Sequence, residues 1–263
     1  MNFTKVITHD TGFHADDVMA VALLKEAGFN FELIRTRNPD ILKYAIEDPI
    51  ILVTDVGGVF DPKMLNFDHH QDMSLPSAAG MIWNHFKDSI CPPDAQVFFS
   101  KFIASIDSMD TNRDNIYATW KALPLGFRNT SDILGGFNRD VKNSTLQYNQ
   151  FNLAVDLARI IIKNEVFSAE MKAQSEILYK KRQILPNGVA VFDEFSTIWR
   201  EKQEHQFAVL PHANGWQIQS FDTSVVVVPE TVSKLAGFVF RHPNGFMAAV
   251  KDKNVVIEFA KTL

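Results

Sequence analysis

Cysteine is almost missing from the 263 residues: Cys91 stands alone, which excludes an internal disulfide and a fold stapled for an oxidising compartment. Long apolar runs are missing too. Stretches such as Val225 to Val228 fall far short of the roughly 20 residues that a membrane-spanning helix needs. The N-terminus reaches His9 and Asp10 before a secretory apolar region develops, so the expected address is the cytoplasm, with no membrane partner. With only 12 Gly and 11 Pro, collagen and low-complexity architectures are excluded. Basic charge is in short supply as well. The 26 Lys and Arg against 31 Asp and Glu leave a net charge of −5, and without a basic stripe a short substrate is favoured over a long nucleic-acid duplex.

What is present is a globular composition, 46% apolar and 22% charged, sufficient for one large domain or two small ones. The 22 Phe against 4 Trp and 4 Tyr mostly report packing, because Phe has no polar atom to satisfy. The acids are concentrated: residues 1–100 carry 14 Asp and Glu against 7 Lys and Arg. Four of the eight histidines, His9, His14, His69 and His70, fall within the first 70 residues, and acids gathered with imidazoles suggest a cation site.

Strand-like and helical patterns alternate through this region. Phe3 to Thr8, Phe31 to Ile34 and Ile50 to Asp55 read as strands; Asp16 to Ala27 and Pro39 to Ile46 read as helices. That order predicts a parallel α/β sheet. Helical spacing follows around Ala79 to Phe86, Ala95 to Met109 and Asn149 to Arg182. After Pro186-Asn187-Gly188 the texture turns to short β-like runs, with Asn214-Gly215 as a hairpin signal, so a smaller second α/β domain is expected. The expected division is residues 1–185 and 186–263, the long helix serving as linker.

Four stretches carry candidate chemistry. In His9-Asp10-Thr11-Gly12-Phe13-His14-Ala15-Asp16-Asp17 a strand gives way to a helix at the carboxyl edge of the sheet, where open α/β folds place ligands. Asp16 and Asp17 also suit a helix first turn, as dipole partners or a cap. Asp55-Val56-Gly57-Gly58 puts an acid at the end of a buried strand, or at the first position of a plain turn. Asp68-His69-His70-Gln71 fits a site in which one imidazole ligates while a carboxylate orients it or the second imidazole meets the substrate, unless the histidines are a surface doublet. In Asp107-Ser108-Met109-Asp110 the two carboxylates share a helix face, as ligands or as exposed acids. Together these oxygen and imidazole donors suit Mn²⁺, Mg²⁺ or Fe²⁺ better than a closed zinc site. Two such ions would polarise a phosphoryl group and deliver a hydroxide for in-line attack.

In order and spacing these motifs resemble those of the DHH phosphoesterase superfamily, which includes RecJ nucleases, oligoribonucleases and manganese pyrophosphatases. More narrowly, Thr8-His9, Phe13-His14-Ala15-Asp16, Asp55 to Pro62 and Phe67 to Gln71 look like the Myg family, once labelled metal-dependent protein hydrolases and later associated with 3′–5′ RNA exonuclease activity. The likeness continues through Trp199-Arg200-Glu201, Gly215 to Ile218 and Arg241 to Phe246, and so covers nearly the whole chain. It implies a DHH-type catalytic domain with a helical extension and a smaller substrate-binding domain, the active site lying in the cleft between them. It implies two Mn²⁺ ions held by His9, His14, Asp16, Asp55, His69 and Asp107, with Asp55 bridging. His70 would meet the phosphate, and Asp17 and Asp68 are placed with it in the catalytic group. Arg241, His242 and Gly245 would hold substrate. Where the superfamily commonly has Asp-x-Asp this chain has His14-Ala15-Asp16, and near Asp110 it has Asp110-Thr111-Asn112 where family members usually have Asp-Asn-Gly. The expected function is a Mn-dependent phosphodiesterase, a 3′–5′ exonuclease on RNA or short oligonucleotides. The alternatives are a hydrolase of a small nucleotide or phosphoanhydride and a metal-stabilised binding protein that does not cut; a homodimer is allowed.

Overall fold

The β-branched run at the N-terminus forms β1 (Lys5–Thr8), buried from Val6 onward, and the chain then enters α1 (Ala15–Glu26). The computed structural model describes residues 3–124, 126–140 and 142–263, the side chain of Asp114 excepted. Asn38 caps α2 (Pro39–Ala45) by accepting hydrogen bonds from the backbone N–H groups of Asp40 and Ile41, with Pro39 in the first turn, where its missing N–H costs nothing. With β2 (Glu32–Arg35) and β3 (Ile51–Thr54), the predicted strand-helix alternation is all present. The sequence does not announce β4 (Phe60–Asp61) and β5 (Asn66–Phe67), because two residues are too few to show a period.

These strands make one sheet in the order β2-β1-β3-β5-β4, with β2, β1, β3 and β5 parallel and β4 antiparallel at the edge. Parallel pairing brings the carboxyl ends of β1, β3 and β5 to one edge, and His9, Asp55 and Asp68 are the next residues after those ends. Helices α3 (Ala78–Ile90), α4 (Gln96–Thr111), α5 (Ile116–Lys121) and α6 (Thr130–Gly135) follow. The pattern of α1 suggests an amphipathic helix, but Ala15 to Leu24 are all buried, acids included, because α3, α4 and α6 pack against it. Helix α7 (Ser144–Lys181) begins where the Asn143 side chain accepts from the backbone N–H of Leu146.

Two compact units divide the chain, Met1–Glu170 and Met171–Leu263, the boundary falling within α7. The second unit contains β6 (Gln183–Ile184), β7 (Ala190–Val191), α8 (Ile198–Lys202), β8 (Phe207–His212), β9 (Gly215–Ser220), β10 (Phe238–Arg241), β11 (Met247–Val250) and α9 (Lys253–Ala260). Its strands form a six-stranded sheet in the order β10-β11-β9-β8-β7-β6, with only β7 and β8 parallel. Asn214-Gly215 turns β8 into β9 as the sequence predicts, His212 pairing with Gly215. Val209, Ile218, Ala248 and Val250 of the strands share one core with Val256 of α9.

Candidate metal centre

The functional side chains at the carboxyl edge of the first sheet follow strands or open α1, and Asp110 joins them from the last turn of α4. Asp55 follows β3 with φ +58, a left-handed conformation that costs a non-glycine residue energy and that turns the chain sharply after the strand. Its carboxylate lies between two imidazoles: Oδ2 is 3.3 Å from His9 Nε2 and Oδ1 is 3.5 Å from His69 Nε2. On the far side of His9, Asp17 Oδ2 is 3.2 Å from the same Nε2. Beside His69, Asp110 Oδ2 and Asp16 Oδ2 approach Nε2 to 3.3 and 3.7 Å. The candidate ligand atoms thus fall into three overlapping groups, His9-Asp17-Asp55, Asp16-His69-Asp110 and Asp55-His69-His70, each within 4.8 Å.

Helix starts hold the acids in place. Asp17 Oδ1 accepts from the backbone N–H groups of His14 and Val18, and Asp16 accepts from those of Ala78 and Ala79 at the start of α3. The small residues Ala78-Ala79-Gly80 let α3 come this close to α1. Asp68 accepts from Gly58 N–H through Oδ2, and its Oδ1 lies 2.6 Å from His70 Nδ1. This holds a ring that is otherwise 63% exposed.

Charge in this cluster is unbalanced. Burial pushes the Asp17 carboxyl up to about 7, the pull of His9 notwithstanding, and burial with the neighbouring Asp55 and Asp110 charges raises Asp16. Burial and Asp55 raise Asp110 as well. Burial would also raise Asp55, but hydrogen bonds from His69 and His9 outweigh it and take the group down to about 2. His69 is raised by its hydrogen bond to Asp55; His9 is raised because Asp55 and Asp17 overcome the effect of burial. Unmet valences remain among the described residues: Asp17 Oδ2, despite its approach to His9, and His69 Nδ1, Thr8 Oγ1 and Thr54 Oγ1 are buried without a hydrogen bond. Four carboxylates converging on two imidazole nitrogens, with an acceptor oxygen left over, can bind a divalent cation.

The expected ligands His9, Asp16, Asp55 and His69 are brought together. His14 stands beside them, its ring centroid 5.9 Å from that of His9, in the wall of a cavity of about 290 Å³ that Asp16, Met109, Asp110 and Tyr117 also line. Asp107 is placed elsewhere: it accepts from Ser77 N–H at 2.5 Å and faces Arg113 at 3.4 Å. Asp110 takes the position beside His69. Phe99, Ile103 and Ile106 are the buried residues of α4, and Asp110 continues their three-four spacing, a signal that the sequence contained. Asp17, foreseen in the catalytic group, lies among the candidate ligands instead. In the second unit, Arg241 Nε donates to Val228 O, and the His242 and Phe246 rings lie 4.6 Å apart. Gly245 has φ +74, and a Cβ there would meet an Arg241 guanidinium nitrogen at 2.7 Å. Gly245 therefore lets the hairpin close over Arg241.

The fold and cluster define an α/β protein with a carboxylate and imidazole cluster at a parallel-sheet edge whose donors could hold a divalent cation. The family model MYG1_exonuc, described as Uncharacterised protein family (UPF0160), matches residues 5–221, and the chain belongs to that family. It is 23% identical to the MYG1 protein C694.04c of Schizosaccharomyces pombe over 99% of this chain and 97% of that one. A MYG1 protein of Chlamydia pneumoniae is 27% identical over 92% of this chain and 87% of its own length. The protein of Homo sapiens named MYG1 exonuclease is 29% identical over 40% of this chain and 35% of that one. Among solved structures, a pGpG-specific phosphodiesterase, PggH, from Vibrio cholerae aligns over 99% of this chain and 96% of its own at a TM-score of 0.38 and 15% identity. No helix among the described residues is long and apolar enough to cross a membrane.

Proposed function

We propose that the chain is a DHH-type, divalent-metal-dependent phosphodiesterase, acting with manganese as a 3′–5′ exonuclease on RNA or short oligonucleotides. The observation that carries this reading is Asp55, whose two oxygens face His9 on one side and His69 on the other. Relatives named MYG1 exonuclease support the reaction class. His9, Asp17 and Asp55 would hold one ion and Asp16, His69, Asp110 and Asp55 the other, with His14 at the margin. The bound ions would neutralise the phosphoryl oxygens and lower the pKa of the attacking water.

The chain's own groups do the rest. Asp68 fixes the ring of His70 through Nδ1 and leaves Nε2 for the substrate. So oriented, the ring would meet a phosphoryl oxygen or the departing alkoxide. Residues 186–263 would serve as the substrate-binding part, with Arg241 and His242 meeting phosphate and Gly245 shaping the turn. The buried thiol of the lone Cys91 suits a reducing compartment, and the cytoplasm is the proposed address.

The test offers the protein, with Mn²⁺, a ribo-oligomer labelled at either end, its deoxy counterpart and pyrophosphate, with His69→Ala alongside. Stepwise shortening from the 3′ end, lost in His69→Ala, is the expected result. Phosphate release from pyrophosphate alone would replace the nuclease with a small-phosphoanhydride hydrolase, and silence on all substrates with metal still bound would leave a binding protein. A wild-type protein that takes up no divalent ion would overturn the centre itself.

A further inference from the structure

Behind the loop that carries His9, the first unit contains a second cavity of about 340 Å³ that the metal chemistry leaves unused. It is lined by Thr11, Arg35, Lys142, Ser144, Gln147 and Tyr148. Gln147 is the informative residue. It is 2% exposed, yet among the described residues neither its Nε2 nor its Oε1 has a hydrogen-bond partner. An unpartnered buried amide is costly, and no neighbour among the described residues uses either atom. Around it the charge is positive. Arg35 spends Nε on His9 O and one Nη2 bond on Thr11 O, and Arg37 reaches the Asp10 carbonyl and side chain from outside. Asp10 is the acid in the lining, and Lys142 is exposed beside the first turn of α7, whose N-terminus favours an anion. The Tyr148 ring is 41% exposed at the rim, and its hydroxyl donates to Leu33 O at 3.4 Å.

We propose that this cavity is a nucleoside monophosphate site, separate from the metal centre and held by the same loop. An amide offers a donor and an acceptor side by side, the complement of a nucleobase edge such as that of adenine. Lys142, the guanidinium of Arg35 and the start of α7 take the phosphate, and Tyr148 covers the base. Because Arg35 donates to both the His9 and Thr11 carbonyls, an occupied cavity abuts the loop that positions a metal ligand. A product nucleotide, or the nucleotide next to the one being cut, has the chemistry to fill it.

The test is binding of AMP, adenosine and inorganic phosphate by calorimetry in EDTA, so that the metal centre cannot contribute, with His69→Ala carried in parallel. AMP is expected to bind wild type and His69→Ala alike, and to weaken roughly tenfold in Gln147→Leu and in Lys142→Ala. Adenosine should keep the dependence on Gln147 and lose that on Lys142. Gln147→Leu should also melt at or above the wild-type temperature, since an isosteric apolar side chain relieves an unpaired amide. Metal-free protein that ignores AMP, or that binds inorganic phosphate as well as AMP with no effect of Gln147→Leu, overturns the proposal. So does a Gln147→Leu protein several degrees less stable, which would show that the amide serves the fold. None of these outcomes touches the metal-dependent reading, which stands or falls on His69→Ala with Mn²⁺. If AMP is bound, a dinucleotide tested in the same way decides between a free product and a substrate nucleotide: tighter binding of the dinucleotide, still sensitive to Gln147, places the substrate strand there, and equal binding places the product.

Discussion

The two units handle buried polar groups in opposite ways. In residues 1–170, His9, Asp16, Asp17, Asp55 and His69 are buried at one sheet edge, and Asp17 Oδ2 and His69 Nδ1 make no hydrogen bond among the described residues. In residues 171–263, Gln217 and Gln219 are equally buried but pass hydrogen bonds along: Arg200 donates to Gln219, Gln219 to Gln217, and Gln217 to Pro211 O. His205 is likewise engaged by Arg182 and Gly188 O, although Trp199 Nε1 and Arg200 Nε stay unmet. A satisfied chain of neutral groups is architecture. A convergence of buried carboxylates whose charge is not offset calls for something from outside the polypeptide.

The strongest way to break this contrast is Asp55→Asn. Removing the charge shared by both ligand groups should cut hydrolysis by roughly 10³-fold or more and abolish divalent-ion uptake, read by turnover and metal analysis, while the second unit stays folded. Normal activity with full metal content would mean that the convergence is only structural. Next comes the Asp110 and Asp107 pair. Asp110→Asn should cost on the order of 10²-fold in rate, whereas Asp107→Asn should keep its rate and cost about 1 kcal/mol of stability through the weakened bond to Ser77 N–H. Reversed outcomes would move the ligand one helical turn back.

A smaller effect concerns pH. Asp17 sits at about 7 when folded against an ordinary 3.8, so in that interval the folded state keeps a proton that the unfolded state has released. Its contribution to metal-free stability therefore falls as pH rises from about 4 to 7 and stays lost above. Asp16 and Asp110 act in the same direction; His9 and His69, raised above 6.5, add stability at low pH that is lost as pH climbs through their folded values. Asp55, lowered to about 2, acts oppositely, stabilising above 3.8 and losing that as pH falls to 2. The site's contribution to metal-free stability thus peaks near about pH 4. Saturating Mn²⁺, about 2.7 kcal/mol at a hundredfold excess over Kd, should flatten the loss at neutral pH. Thermal denaturation across pH, with and without the ion, checks this. The smallest effect is expected from Gly245→Ala. With φ +74 and a close guanidinium, it should destabilise the second unit by about 1 to 3 kcal/mol and leave metal uptake by the first unchanged.

Much of this was legible in the chain. Strands β1 to β3, helix α1 and the motifs at His9, Asp55 and Asp68 follow from β-branched runs, helical spacing and acids placed at strand ends. The two-residue strands β4 and β5 were too short to show a period, and the acids of α1 gave no sign of being buried on every side. Asp110 continued the stripe of Phe99, Ile103 and Ile106, but a carboxylate on an apolar face reads as ligand only once its neighbours are known.

By itself the sequence determined which donors were available and at which ends of which elements they would stand, because periodicity and strand endings are local properties. Only the tertiary structure decided which of them meet. Parallel pairing of β1, β3 and β5 gathered three distant loops at one edge, and the packing of α3 and α4 against α1 seated Asp16 on the start of α3 and turned Asp110, rather than Asp107, toward His69. The fold also buries Gln147 without a partner among the described residues, a demand that no local pattern reveals because it arises from what the surrounding elements fail to supply.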